Sequence, residues 1–462
     1  MKTNNKYSKL SPLVVLLLIV VSCDSFVDVD LPKSQLTSQG VFKDFATADA
    51  AMTDIYAKIR DTGILTGLDT GISNQLGNYT DELTAYGEPT STTVSFYNNA
   101  VLPSNSDIAD YWNASYNQIY SANAILEGLA DNTSFASESK NKLLGEALFI
   151  RALMHFYLVN LFGDIPYIKK TDYIENSSVS RMPAGIVYTN ILEDLKKSIE
   201  LLPAAYSSTE RIRPNKYTAK ALLSRVFLYM GNYAEASNEA SSILNQSSTF
   251  LLTKNINQVF LISSKETIWQ LKSAASGQNT QEAVTFIFSS VPPSLTALSD
   301  GFINSFPAND LRKLNWIKEV ADQNSIWYHP YKYKEQDFTG TSLEYSIVFR
   351  TAEQYLIRAE ARAQQGDLIG AKEDLNKIRE RAGLQHTQAV TKSEIIEAVL
   401  NERKWELFTE QGHRFFDLKR FNKIDEALTG VKQGWNNTDK LLPIPQSELS
   451  ANPNLRPQNP GY

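Results

Sequence analysis

Two segments of this 462-residue chain repeat one another, and that repeat limits the possible folds more than any other feature. In the first, Ala221-Leu222-Leu223 runs to Gly231-Asn232-Tyr233 and leads into Ala236, Ala240 and Ile243. In the second, Leu356-Ile357 runs to Gly366-Asp367-Leu368 and leads into Ala371, Leu375 and Ile378. From Tyr233 and from Leu368 the apolar positions follow at intervals of 3, 4 and 3, which is one face of a helix. Each turn has Gly, then Asn or Asp, then a hydrophobe, with an Ala five residues after the Gly. Glycine supplies the left-handed helix end. The small alanine lets the paired helices approach closely.

This is the tetratricopeptide design, a helix pair of about 34 residues. Other helices fit around it. Val41 to Arg60 and Asp107 to Leu129 read as helical. Leu143 to Phe162 is apolar nearly all round, so it should be buried on every side. It should stop at Gly163-Asp164-Ile165-Pro166 and pair with Ala184 to Leu202. Ser393 is the expected N-cap of a helix running to Gln411, and His413 starts another. Four pairs result: 143–202 with an insertion, 216–246, 351–382 and 393–428. Repeats need neighbours to bury their faces, so the pairs should stack into one right-handed superhelix. Two stretches break the pattern. Residues 61–106 are rich in Gly, Thr, Ser, Asn and Tyr, and residues 247–347 mix strand-like runs such as Thr267 to Leu271 with Pro292-Pro293 and an aromatic cluster. Long irregular segments in a compact protein usually carry function. The tail from Leu441 is Pro- and Asn-rich and reads as extended.

The chain opens with an export signal. Lys2, Lys6 and Lys9 precede the apolar run Pro12 to Val21, and a run of about ten residues is too short to span a bilayer, which needs about 20. Val20-Val21-Ser22-Cys23 resembles a bacterial lipobox, which makes residues 1–22 a signal peptide and Cys23 the lipidated N-terminus of one domain over 23–462. Cys23 is the only cysteine, which excludes an intramolecular disulfide and any cysteine-based zinc site. The acidic Asp24 to Asp30 resembles a surface-export signal for such lipoproteins. The formal net charge is −6 with no basic run, which argues against a nucleic-acid partner. The four histidines, His155, His329, His386 and His413, show no ligand spacing, so no metal or cofactor is signalled.

Taken together these pieces resemble the SusD/RagB lipoproteins. Glu146 to Ile168 (EALFIRALMHFYLVNLFGDIPYI) resembles their central helix and turn, and Arg350 to Gly366 (RTAEQYLIRAEARAQQG) their third tetratricopeptide helix. Asn401 to Arg420 (NERKWELFTEQGHRFFDLKR) resembles the fourth, and LLPIPQSELSANPNLRPQNPGY the C-terminal signature. The resemblance implies a mainly α fold, with four tetratricopeptide-like pairs forming a scaffold and the two insertions forming a ligand-binding half. It further implies an outer-membrane address, a SusC-like TonB-dependent transporter as partner, and an oligo- or polysaccharide ligand, or a peptide in some members, on which no chemistry is done.

Sugar rings stack on exposed aromatics, while carboxylates, amides and Arg take the hydroxyls. The first insertion offers Tyr79, Asp81, Tyr86, Phe96 and Tyr97 for this, and the second offers Trp316, Trp327, Tyr328 and Tyr331. Core packing is the competing role for each ring. Trp112 lies in a helical pattern and reads as structural, and Tyr331-Lys332-Tyr333 reads as a strand. The pairs Asp81/Glu82 and Glu406/Glu410 could be an acid and nucleophile of a glycosidase. Ion pairing of Glu406 and Glu410 with Arg403 or Arg414 is the simpler account. Two other functions compete with nutrient capture: a glycan-active enzyme on a helical scaffold, and a tetratricopeptide scaffold for a protein partner.

Overall fold

The computed structural model describes residues 38–462, so the segment 1–22 and Cys23 lie outside the described residues. The described chain is mainly helical. Its principal helices are α1 Phe45–Asp61, α2 Ile72–Tyr79, α3 Ser106–Leu129, α4 Ser137–Phe162, α5 Ala184–Leu201 and α6 Lys216–Tyr229. They continue with α7 Tyr233–Leu244, α8 Thr351–Gln365, α9 Leu368–Arg381, α10 Lys392–Glu406 and α11 His413–Arg420. From α3 onward each packs on the next in this series. The repeated turns are built as their residues imply. Gly231 and Gly366 have φ of 76° and 90°, which a side chain would strain. Asp367 then caps α9 by accepting the Gly370 N–H at 2.9 Å. Ala236 and Ala371 are fully buried.

Helix α4 is the centre of the core, buried on nearly every side from Leu143 to Phe162. It is long and apolar enough to cross a membrane, but its surface is spent inside the protein. Its polar groups find partners there. Arg151 donates two hydrogen bonds of 2.6 Å to Asp194. Glu146 accepts from Tyr56 and from Arg213, both at 2.8 Å. His155 Nδ1 lies 2.8 Å from the Arg151 carbonyl, and Nε2 accepts the Ile168 N–H at 3.2 Å, which together fix the neutral ring as the Nδ1–H tautomer.

Several boundaries differ from the sequence reading; the stretch read as one helix from Val41 to Arg60 is interrupted at 42–44, so α1 begins at Phe45. Helix α10 starts at Lys392, because Thr391 rather than Ser393 caps it in a reciprocal capping box with Glu394. It ends at Glu406 rather than Gln411, since Thr409, Gln411 and Gly412 all take left-handed φ. The tail is not wholly extended, because Gln446–Ala451 forms a short helix.

The insertions supply the strands β1 Leu83–Ala85, β2 Thr267–Leu271, β3 Thr296–Leu298, β4 Ile317–Ala321, β5 Ile326–Pro330 and β6 Ser346–Arg350. They pair as three antiparallel ribbons, β1 with β3, β2 with β6 and β4 with β5. The register Leu83↔Leu298, Thr84↔Ala297 and Ala85↔Thr296 joins the first insertion directly to the second. Tyr331 to Tyr333 is not a strand; β5 ends at Pro330, and Lys332 turns inward to Glu410 at 2.5 Å.

A buried ionic network fastens this half to the helices. Arg350 reaches Glu266 at 3.0 Å, Glu406 at 2.5 Å and Glu410 at 2.8 Å. Arg312 reaches Asp310 and Glu402 at 2.7 Å and Glu406 at 3.2 Å, and Arg381 also holds Glu406. Burial alone would raise the Glu406 carboxyl, but Arg381, Arg350 and Arg312 outweigh it and hold the group well below its usual range. The expected ion pairing of Glu406 and Glu410 is present with other partners. Arg403 is taken by Asp417, and Arg414 by Asp81.

Candidate ligand-binding surface

The nine insertion residues separate by burial. Tyr79, Phe96 and Trp316 are wholly inaccessible and leave the set of ligand contacts. Tyr79 lies on α2, ringed by Phe96, Phe415 and Trp435 with centroids 5.7 to 6.0 Å away, and its hydroxyl donates to the Asp439 carbonyl at 3.1 Å. The Trp316 indole N–H donates to the Ile256 carbonyl at 3.0 Å inside a second hydrophobic cluster. Asp81 keeps some exposure, but Arg414 binds both its oxygens at 2.7 Å and Lys404 stands 3.7 Å away. Beside it, Glu82 is buried. Desolvation and the Asp81 charge push its carboxyl up to about 8. A neutral, enclosed Glu82 next to a neutralised Asp81 offers a sugar neither an accessible acid nor a free nucleophile.

Tyr86, Tyr97, Trp327, Tyr328 and Tyr331 remain half-exposed. The β1–β3 pairing sets Tyr86 at the strand end, its N–H donating to the Leu295 carbonyl at 2.8 Å. Strand β3 also packs against β5, which carries Trp327 and Tyr328. Burial pushes the Tyr86 phenol above its ordinary value; the Trp327 side chain, Asp300 and Tyr97 are its other polar neighbours. Burial likewise raises Tyr328, followed by the charges of Glu319 and Asp300. Glu319 stands directly opposite Tyr328 across the β4–β5 ribbon, on the same face. Tyr86, Tyr97 and Trp327 therefore gather near the exposed Asp300, while Tyr328, the next residue on β5, turns to the opposite face beside Glu319 and packs on the second hydrophobic cluster. Tyr331 stands apart, its ring 5.1 Å from the Lys318 amine and 5.4 Å from that of Lys334.

Asp300 and Lys432 carry no signal in the sequence. Asp300 opens a short helix capped by Ser299 and becomes a neighbour of two tyrosines only through the strand pairing. The Lys432 amine lies 3.7 Å above the Tyr97 ring and donates to the Asn78 carbonyl at 2.7 Å. Burial lowers that amine to about 7, with Asp81 opposing the shift. Aromatic faces rimmed by acceptor-only carboxylates suit a polyol, which offers apolar ring faces and many hydroxyl donors. Among the described residues no cluster of His, Cys, Asp and Glu could hold a metal ion.

Comparison with known proteins agrees at two levels. Residues 311–462 match the model of the SusD family, and residues 37–228 match a model described as starch-binding associating with outer membrane. The chain belongs to the SusD family. The SusD-like protein P2 of Formosa agariphila is 28% identical over 97% of this chain and 98% of its own length. A SusD superfamily protein from Parabacteroides distasonis has the same fold, with a TM-score of 0.79, 24% identity, and coverage of 93% of this chain and 100% of that one. A laminarin-binding SusD-like protein matches with a TM-score of 0.75 and 25% identity over 90% of this chain and 99% of that one. Neither family model covers 229–310, the stretch of this SusD-family chain that holds β2, β3 and Asp300.

Proposed function

We propose that this protein captures an oligo- or polysaccharide at the cell surface and delivers it, chemically unaltered, to a SusC-like TonB-dependent transporter. The observation that carries the reading is the half-exposed group of Tyr86, Tyr97 and Trp327 beside the exposed Asp300. A laminarin-binding relative of the same fold and the starch-binding description of the N-terminal match support a glycan over a peptide. Lipidation of Cys23, after loss of residues 1–22, would tether the single domain 23–462 to the outer membrane. The masking of Asp81 by Arg414 and the burial of Glu82 weigh against glycosidase chemistry.

The test is a calorimetric titration of the soluble chain begun at Asp24 against laminarin, starch oligosaccharides and a peptide pool, with chromatography of the ligand afterwards. Saturable glycan binding with the ligand recovered intact is expected. Shortened product would overturn the non-catalytic reading. For the tether and partner, full-length protein should co-purify from outer membranes with a TonB-dependent barrel. The Cys23→Ala form should leave the membrane fraction.

A further inference from the structure

A concave surface outside the insertions shares no residue with the aromatic group. Helix α3 places Trp112, Tyr116 and Tyr120 at four-residue spacing, so the three rings run along one side of the helix. They form one wall of a cleft of about 340 Å³. The segment after α4, including Ile168 and Val179, forms the second wall, and the tail from Glu448 to Leu455 forms the third. This volume falls at the lower end of the range for small-molecule pockets, about 300–1,000 Å³.

The cleft is held open by bonds that are independent of any ligand. The Tyr116 hydroxyl donates to the Pro166 carbonyl at 2.8 Å, and the Trp112 and Tyr116 ring centroids lie 5.0 Å apart. Asn452 donates to the Val179 carbonyl at 2.8 Å and Asn454 to the Ser178 carbonyl at 2.8 Å, which clamps the tail wall to the second wall. Three polar groups in the lining are left over. The Tyr120 side chain is 49% exposed. Its hydroxyl and the Asn113 amide make no hydrogen bond among the described residues, and the half-buried Glu448 carboxylate has the Ser447 side chain as a neighbour but no cation partner there. The three differ in kind: an amide that donates and accepts, a phenol that does both, and a carboxylate that only accepts.

We propose that this cleft is a second saccharide-binding site, taking a short stretch of a neutral glycan. The proposal rests on the glycan reading of the aromatic surface. A polyol fits the leftover set because each hydroxyl can donate to Glu448 or exchange bonds with Asn113 and Tyr120, while its ring face lies on the aromatic wall. An organic cation would engage Glu448 and the rings but leave the amide and the phenol unused. A wholly apolar guest would leave the amide and the phenol unpaired, at a cost. Two separate sites would let one molecule hold a long chain at two points, raising avidity without new contacts at either site.

The test is calorimetry with laminarihexaose and maltohexaose on the wild-type chain, a Trp327→Ala variant, a Tyr120→Ala/Glu448→Gln variant and the combination. The cleft residues changed are surface-facing, and circular dichroism would check that each variant folds. Two sites are expected in the wild type with at least one hexaose. Trp327→Ala should leave one site, the cleft variant should leave the other, and the combination should leave none. The cleft changes should weaken their own site by roughly tenfold or more. A single wild-type site that Trp327→Ala alone abolishes would overturn the cleft and leave the glycan reading standing. Flat wild-type titrations with both sugars would strike the glycan reading and the cleft together.

Discussion

Helix α4 and the β4–β5 ribbon are both rich in aromatic and ionisable side chains, and they use them in opposite ways. On α4 the rings of Phe149, Phe156 and Tyr157 are buried, and Arg151, Glu146 and His155 are matched by partners from other helices and loops. On the ribbon, Trp327 and Tyr328 stay half-exposed, and Glu319 faces water. In the first region, polar groups are satisfied inside the protein, so their loss damages the fold. In the second they are left for something outside, so their loss should spare the fold and cost binding.

The largest effect should come from breaking the first region. Arg151→Met strips the buried Asp194 carboxylate of its cation and of two of its three side-chain hydrogen bonds, leaving that from the Tyr167 hydroxyl, a change that typically costs about 3–5 kcal/mol. Tyr79→Ala removes a fully buried ring and should cost about as much by the cavity it opens. Urea denaturation would measure both. The folded fraction of either variant should bind glycan as the wild type does. A Tyr79→Ala protein of normal stability and lost affinity would reverse the structural role of that residue.

His155 sharpens the same point through pH. Burial holds its imidazole neutral, with a pKa lowered to about 3 against an ordinary 6.5. Between those values the unfolded chain binds the extra proton, so stability rises with pH through this window and is lost as pH falls. The slope for one group is at most about 1.4 kcal/mol per pH unit. Denaturation midpoints followed from pH 4 to 7 should be flatter in a His155→Gln variant. An unchanged slope would mean that other groups set the acid response.

The ribbon gives a smaller effect of another kind. Trp327→Ala should change stability by less than about 1 kcal/mol, since the ring is half-exposed and anchors no hydrogen-bond network. It should weaken glycan binding by roughly tenfold or more, as expected of an aromatic contact. Equal losses in stability and affinity would erase the contrast between the two regions.

That contrast was only half legible in the sequence. Helical period, the Gly-Asn and Gly-Asp turns and the all-round apolar stretch 143–162 are local signals, and the helices follow them closely. The fate of single rings is not local. Tyr79 and Tyr86 stand seven residues apart in the same polar stretch. Tyr79 is buried because α2 folds it against Phe415 and Trp435, more than 300 residues later, whereas Tyr86 follows a strand whose partner is β3. Trp316 and Trp327 divide in the same way at the two ends of one ribbon: Trp316 points into a cluster with Phe260, and Trp327 lies toward Tyr86. Composition shows that both insertions are rich in aromatics, but only long-range pairing decides which of them reach the surface.

The smallest expected effect falls where the two uses meet, at Lys432. Its amine is buried like a core group, yet it lies over Tyr97 at the edge of the candidate surface. Below its lowered pKa of about 7 the amine is charged and attracts the ring face; above it the attraction fades. If that contact orients Tyr97, glycan affinity should fall a few-fold between pH 6 and 8.5, an effect of about 0.5–1 kcal/mol. The stability contribution runs the other way. The unfolded lysine keeps its proton up to about 10.4, so between 7 and 10.4 the unfolded state binds more protons and this residue's share of stability rises with pH. A Lys432→Met variant compared with wild type isolates both trends from the other groups that titrate nearby, such as Glu82. Removing the charge should flatten the affinity profile. If affinity is the same in both proteins at every pH, Lys432 only fills space beneath Tyr97, and the boundary between scaffold and recognition surface runs between those two residues.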